Sequence, residues 1–236
     1  MDKKLSDSPA IGLLTLILAD AALETIPEEL QRHPSITKHA RSRGKKPGEM
    51  LLDRSYHHAA MLKMKDHNRR GRPDLVHLSL LEATSTPLYL EDRLKVCLQT
   101  IAGKAVIIGE SVRLPKSYFR FEGLMEQLFR EGEVVSDGRR LLEVVDMDFK
   151  GLLRRVKPSE TIGLSKVGKP SSFESVAGEL VATDRPVLVV GGFPRGRFTE
   201  ATYSNLDKVY SVSRHPLEAN VVIARAIYEY EKVTEK

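Results

Sequence analysis

A glycine-rich segment, Gly191 to Gly196, directly follows the apolar run Val187 to Val190. Glycines at the carboxyl end of a strand let backbone amides approach a ligand closely, and open α/β sheets bind ligands at this edge. The segment matches neither the dinucleotide fingerprint nor the P-loop, because Arg197 and Phe198 follow Gly196. The pattern therefore predicts the floor of a cofactor site without a phosphate cradle. The alternative is a tight turn that binds no ligand.

Two further stretches are rich in cations, and the second also contains aromatic residues. These are Lys63, Lys65, His67, Arg69, Arg70 and Arg72, and then Arg113, Lys116 and Arg120 around Tyr118, Phe119 and Phe121. Guanidinium groups neutralise phosphates and exposed rings stack on unpaired bases, so the pattern favours single-stranded or looped RNA. The net charge of +5 points weakly to the same partner. The alternative is a solvated basic face whose aromatic residues belong to the core.

Other chemistries find little support in the sequence. His57 and His58 are adjacent, so a helix would point them in different directions, and we expect local packing rather than a metal site. The chain contains no G-x-S-x-G motif. The single cysteine, Cys97, indicates a reducing compartment, by default the cytoplasm. The apolar run Ile11 to Ala19 is too short to span a membrane, and the residues before it do not resemble a signal peptide.

The elements that must position these residues form an α/β pattern over 236 residues, which we take as one domain, 1–236. Buried strands are predicted at Leu13 to Ala19, Leu75 to Leu81, Ala105 to Ile108 and Val187 to Val190. Weaker strands at Leu141 to Val145, Thr161 to Ser165 and Val209 to Val212 precede helices at Phe149 to Arg155, Ser171 to Val181 and Leu217 to Tyr230. This alternation predicts a mostly parallel sheet with helices on both faces.

The remaining segments are predicted from composition and spacing. The basic stretch from Pro34 to Pro47 is typical of an exposed loop, and Met50 to Leu62 has the apolar spacing of a helix. Between Ala83 and Pro115 the helical pattern weakens, which predicts a small β-rich insertion.

Five collinear stretches together resemble one known family over nearly the whole chain. They are Leu51 to His58, Gly71 to Leu81, Arg113 to Phe121, Val189 to Gly196 and Ser213 to Leu217. In this order and spacing they resemble the archaeal and eukaryotic ribosome-biogenesis methyltransferases, SPOUT-superfamily enzymes that act on a pseudouridine in small-subunit ribosomal RNA. The resemblance implies a deep trefoil knot in the carboxyl-terminal third, which general topology rules would not propose.

The resemblance also implies a cofactor and an oligomeric state. S-adenosylmethionine would lie in the knot, held mostly by backbone groups of three loops. Carried over, the cofactor residues are Leu164, Ser165, Gly191, Gly192, Gly196, Val212, Ser213, Arg214, His215, Pro216 and Leu217. A homodimer is implied as well, and the helix from Leu217 to Tyr230 has wide apolar coverage that could serve a partner subunit or the core.

The substrate residues implied by the resemblance are Arg72, Arg113, Lys116 and Arg120, with Asp74 holding Arg72. The family usually has arginine at the position of Lys116, and lysine keeps the charge but loses the planar, bidentate geometry. Methyl transfer to the N1 nitrogen of pseudouridine would build negative charge on a neighbouring carbonyl oxygen. Arg72 could stabilise that charge and is the expected catalytic residue.

One position departs from the family in a way that bears on the mechanism. Relatives typically carry aspartate where this chain has Ser85, and serine cannot act as a base near neutral pH. Glu82 is close in sequence, but in an extended strand it would lie on the opposite face from Ser85. Two alternatives therefore stay open: a catalytically idle RNA-binding ribosome-assembly factor, and a methyltransferase of the same superfamily acting on transfer RNA.

Overall fold

The computed structural model describes residues 13–234, so the interpretation of the first residues as unlike a signal peptide concerns a segment outside this range. Within the range, the strands are β1 Leu14–Ala21, β2 Leu94–Thr100, β3 Lys104–Ile108, β4 Glu133–Ser136, β5 Arg139–Asp146, β6 Glu160–Pro170, β7 Pro186–Gly191 and β8 Lys208–Ser211. The helices are α1 Pro34–Arg43, α2 Arg54–Met61, α3 Pro73–Ala83, α4 Pro87–Leu90, α5 Tyr118–Glu131, α6 Phe149–Val156, α7 Phe173–Val181, α8 Glu200–Tyr203 and α9 Ala219–Thr234.

The strands form one mixed sheet in the order β4-β5-β3-β2-β1-β7-β6-β8. The five strands β2, β1, β7, β6 and β8 are parallel neighbours, whereas β3, β5 and β4 continue the sheet with antiparallel pairs. The α/β architecture with a mostly parallel sheet is thereby confirmed. The threading of a knot stays a prediction.

Both faces of the sheet are covered, as the apolar pattern of β1 requires. Leu14, Leu16 and Leu18 belong to one core, and Ile17 and Ala19 belong to another on the opposite face. A strand buried on both faces carries a continuous apolar run instead of an alternating one. A third core lies outside these two, between α1, α2 and the segment that follows β1, and includes Ile36, Ala40 and Met61.

Two segments adopt a different structure from the one predicted. The run Leu75 to Leu81 lies in helix α3, which begins at Pro73, a favoured first helical residue. The open face of α3 carries Leu78 and Leu81 beside Asp74 and Glu82, so the polar face that would have revealed a helical period is interrupted. The basic stretch from Pro34 forms helix α1 instead of a loop, because Ile36 and Ala40, four residues apart, are buried together on one face.

The predicted β-rich segment between Ala83 and Pro115 does contain two strands, but they are part of the main sheet and not an insertion. β2 pairs with β1 near the centre of the sheet and β3 continues it, so these strands belong to the main sheet, and α4 lies before them. The stretch around Phe119, which carried no predicted element, begins helix α5. The later strands and helices lie close to their predicted positions.

No helix between residues 13 and 234 is both long and apolar enough to cross a membrane. In the same range no three His, Cys, Asp or Glu side chains come together as a metal-binding group.

Candidate active site

A cavity of about 530 Å³ opens where the chain leaves β7 and β8 and where β6 loses its register with β8 after Leu164. The three strands are parallel, so their carboxyl ends meet at one edge of the sheet. All the cofactor residues named from the sequence line this cavity except Gly192 and Arg214. The three loops that the family resemblance named are far apart along the chain, and they line one cavity.

Gly192 serves the packing of the loop and not the cavity surface. Its amide donates to the Ala19 carbonyl and its carbonyl accepts from the Ala22 amide, both at 2.8 Å. A Cβ atom at this position would lie 2.8 Å from Cα of Ala21, so only glycine lets the loop lie directly against the end of β1. Arg214 is exposed and lies outside the lining.

Asp20 is the most important residue at this edge that the sequence analysis overlooked. Its carboxylate accepts hydrogen bonds from the Thr199 amide (2.7 Å), the Thr199 hydroxyl (3.0 Å) and the Thr202 hydroxyl (2.8 Å). Arg69 Nη2 also donates to it, at 3.2 Å. The only signal in the sequence was an aspartate directly after a buried apolar run. Asp20 therefore connects β1 to the start of α8, just beyond the cavity loop.

Arg69 extends this connection into the cavity. Its guanidinium carbon lies 4.5 Å from the ring centroid of Phe193, which lines the cavity. Within the described part of the chain its Nε is buried without a hydrogen-bond partner. The adjacent Arg70 forms two hydrogen bonds with buried Glu24. These two members of the predicted basic cluster are thus committed to internal carboxylates and not free to bind RNA.

Arg72 and Asp74 form the predicted pair at the start of α3. Arg72 Nε and Nη2 donate to the two carboxylate oxygens of Asp74 at 2.8 and 2.9 Å. These hydrogen bonds raise the pKa of Arg72, and attraction to Glu218, which lines the cavity, acts in the same direction. The Arg72 amide also donates to the Ala22 carbonyl, and the Ala22 amide in turn donates to the Gly192 carbonyl. Arg72 therefore lies beside the cavity with its charge secured.

The second basic stretch divides into buried and exposed residues. Phe121 is fully buried and Tyr118 donates to Asp53 Oδ2 at 2.6 Å, so these two rings pack inward and are not exposed base-stacking groups. Phe119 is 65% exposed. The three cations of this stretch are all exposed: Arg113, Lys116 and Arg120.

The histidines behave as local packing groups. His57 is buried in α2 whereas His58 is exposed, as expected for adjacent positions on a helix. His77 stacks on Phe121 with ring centroids 4.4 Å apart.

Ser85 is exposed and follows the end of α3, and neither it nor Glu82 lines the cavity. Because Glu82 lies in a helix, the argument that placed it on the opposite face of a strand from Ser85 is wrong. Among the described lining residues Glu218 is the one carboxylate.

Comparisons with known proteins agree with this geometry. Residues 16–231 match the family model described as EMG1/NEP1 methyltransferase. The ribosomal RNA small subunit methyltransferase Nep1 of Staphylothermus marinus is 39% identical over 91% of this chain and 93% of its own length. Nep1 of Pyrococcus furiosus is 40% identical over 92% and 96%.

A solved structure gives the same result in three dimensions. The crystal structure of Archaeoglobus fulgidus Nep1 bound to S-adenosylhomocysteine has a TM-score of 0.83 and 33% identity, over 94% of this chain and 99% of that one. Its ligand is the demethylated form of the expected cofactor. On the match across most of its length, the chain belongs to the EMG1/NEP1 methyltransferase family.

Proposed function

We propose that this chain transfers a methyl group from S-adenosylmethionine to the N1 nitrogen of a pseudouridine in small-subunit ribosomal RNA, and so contributes to ribosome biogenesis in the cytoplasm. The observation that carries the proposal is the three-loop cavity at the sheet edge with the Arg72–Asp74 pair beside it. Family membership and the S-adenosylhomocysteine bound by the archaeal relative support the reaction class and the methyl donor.

The cavity fits such a donor in size and chemistry. Its volume lies within the usual range for cofactor sites, roughly 300–1,000 Å³. Leu164, Val190 and Val222 offer an apolar wall for an adenine ring, and the backbone from Gly191 to Gly196 offers amides and carbonyls for polar groups. When bound, S-adenosylmethionine supplies an electrophilic methyl group on its sulfonium.

Arg72 is the residue proposed to act on the substrate. Arginine has five N–H donors, and the contacts with Asp74 use one on Nε and one on Nη2. The other donors can reach the carbonyl oxygen on which negative charge develops as the ring nitrogen loses its proton. Such a donor, held in place beforehand, stabilises the transition state without reorganising.

Glu218 is the proposed acceptor of that proton. It lines the cavity and attracts Arg72, so it belongs to the region where donor and substrate would meet. A positioned carboxylate can act as a general base although its proton affinity is modest. With this assignment the chain has a carboxylate that can act as the general base, although position 85 is a serine.

Arg113, Lys116 and Arg120 are proposed to bind phosphates of the substrate RNA. All three are exposed, and Arg120 lies in the first turn of α5 next to the exposed Phe119. Lys116 would contribute charge but no bidentate contact.

The knot and the homodimer implied by the resemblance are part of this proposal. α9 packs against α3 and α7, and its Ala226 and Ile227 are buried within the subunit. Val221 is exposed and so is available to a partner subunit. Sedimentation velocity of Val221→Glu should show a weaker dimer, whereas a parent protein that is monomeric at all concentrations would refute the homodimer.

The idle assembly factor is the second candidate, and the serine at position 85, where relatives typically carry aspartate, favours it. The two candidates differ in one measurement. Tritiated S-adenosylmethionine is incubated with the protein and a short ribosomal loop that carries either pseudouridine or uridine at the target position, with transfer RNA in parallel. We expect label only in the pseudouridine loop.

Each other outcome selects another function. Tight loop binding without label identifies an idle factor, and label in transfer RNA identifies the other methyltransferase. The absence of calorimetric heat with the donor or with S-adenosylhomocysteine would refute the cofactor assignment itself.

A further inference from the structure

Four side chains from three helices form a continuous line on the surface, which we call the stacking ladder: Tyr56, His39, Arg43 and Phe119. The Tyr56 ring of α2 stacks on His39 of α1, with centroids 4.2 Å apart and planes at 21°. Arg43 lies one helical turn beyond His39, and its guanidinium carbon is 4.9 Å from the ring centroid of Phe119 on α5. Two stacked pairs, Tyr56 with His39 and Arg43 with Phe119, thus lie one helical turn of α1 apart.

The two middle members of the ladder are held from below by buried groups. The Asp53 amide donates to His57 Nδ1 at 3.0 Å, so His57 carries its proton on Nε2 and donates it to His39 Nδ1 at 2.9 Å. Arg43 Nη2 donates to the buried carboxylate of Glu122 at 2.7 Å. His39 and Arg43 are therefore fixed in position before any ligand arrives.

The two end members, in contrast, are open to solvent. Tyr56 is 52% exposed and Phe119 is 65% exposed. Single exposed rings are ordinary on protein surfaces. Here each ring instead stacks or packs on a side chain that is itself held by a buried partner, and Phe119 directly precedes Arg120, one of the proposed phosphate-binding residues. The arrangement provides rigid, accessible ring surfaces within a basic region.

We propose that the stacking ladder binds unpaired nucleotides that flank the methylation target, with one base on Tyr56 and another on Phe119. This inference rests on the proposed function, which makes RNA the substrate. Ring surfaces accept any base, and neighbouring cations neutralise the backbone, which is how proteins hold single-stranded nucleic acid. Bases inside a duplex are already stacked, so the ladder selects looped RNA.

The geometry indicates that the two rings receive different nucleotides. One helical turn of α1 separates His39 from Arg43, about 6 Å along the helix axis. Stacked nucleotides rise only about 3.4 Å. The ladder therefore holds two bases too far apart to stack on each other.

The test uses synthetic ribosomal loops with 2-aminopurine at one unpaired position at a time, because stacking quenches its fluorescence. We expect Tyr56→Ala and Phe119→Ala each to weaken loop binding roughly tenfold and to abolish quenching at one position each. The matched controls Tyr56→Phe and Phe119→Tyr keep a ring and should bind within about twofold of the parent. Binding of duplex RNA and of S-adenosylhomocysteine should be the same for all five proteins.

Several outcomes would overturn the inference. Alanine variants that bind the loop like the parent would refute it, as would an equal loss of binding for loop and duplex, which would mean that the ladder acts only through charge or folding. Measuring methyl transfer by the parent distinguishes a failure of this inference from a failure of the proposed function. If the parent binds loops through the ladder but transfers no methyl group, the proposed function fails and the ladder stands.

Discussion

The cavity and the stacking ladder are built in opposite ways. The cavity lies at strand ends, and its shape depends on backbone approach, as at Gly192, and on a hidden network around Asp20. The ladder lies on helices, and its properties depend on side chains such as Tyr56 and Phe119 that are largely exposed. Substitutions near the cavity should therefore act through loop position, whereas those in the ladder should remove contacts and leave the fold intact.

Arg72→Ala should have the largest effect, because Arg72 is the proposed donor to the charge that develops in the transition state. We expect turnover to fall by roughly two to three orders of magnitude, the usual loss when a charge-stabilising donor is removed. The affinity for S-adenosylhomocysteine, measured by calorimetry, should not change. Arg72→Lys keeps the charge without the paired contacts to Asp74 and should be intermediate. Unchanged turnover with unchanged RNA affinity would contradict the role assigned to Arg72.

Glu218→Gln should come next, with turnover lower by roughly 100-fold, since a general base contributes about that much. Single-turnover methyl transfer at saturating donor and RNA measures the effect. Glutamine has nearly the same shape, so donor affinity should change little. Full activity of this variant would remove Glu218 from the mechanism and leave Arg72 as the only catalytic assignment.

Asp20→Asn tests whether the cavity depends on loop position. Asparagine tolerates the positive φ of 50° at this site and can still accept hydrogen bonds, but it loses the ion pair with Arg69. We expect about 2 kcal/mol lower stability in urea unfolding and roughly tenfold weaker binding of S-adenosylhomocysteine.

Thr202→Val is the control, because it keeps the ion pair of Asp20 with Arg69 and removes only the Thr202 hydroxyl, which donates to Asp20 and accepts from Thr199; it should cost only about 1 kcal/mol of stability. If Asp20→Asn lowers stability and leaves donor affinity intact, the network supports the fold alone.

The effect of His57→Gln on stability should appear only in acid. Burial, followed by the neighbouring His39, lowers the pKa of His57 from 6.5 to about 4. The unfolded chain therefore binds more protons between these values, so the stability contributed by His57 is complete above about pH 6.5 and is lost as the pH falls through about 4.

Glutamine can donate and accept as His57 does but does not titrate. Urea unfolding is measured from pH 7 to 4.5. Over this range the free energy of unfolding should fall by up to ~2 kcal/mol more for the parent than for His57→Gln. Parallel curves would mean that His57 does not contribute to the pH dependence of stability.

The predictions from sequence succeeded where a local pattern reports burial directly. β1 and β7 carry continuous apolar runs, and both lie inside the parallel part of the sheet. The prediction failed for α3, because its open face, at Asp74, Leu78, Leu81 and Glu82, carries two leucines, and Leu78 is 54% exposed. Apolar residues on the open face hide the helical period, and an apolar run of that length then fits a strand equally well.

The role of Asp20 could not have been predicted from neighbouring residues. Its partners Thr199 and Thr202 are 179 and 182 positions away in the chain, and Arg69 is 49 away. The stacking ladder has the same character, because α1, predicted as a loop, supplies both of its middle members. Neither arrangement leaves a periodic or compositional signal.

The sequence by itself determined the chemical inventory of this protein: the glycine-rich strand end, the two basic stretches and, through the family resemblance, the Arg72–Asp74 pair. Each depends on residue types that are close together in the chain or belong to a recognisable motif. Only the tertiary structure decided which cations remain free, since Arg69 and Arg70 meet carboxylates that come from another part of the chain. Ion pairing and stacking act over a few ångströms in space, and folding alone sets those distances.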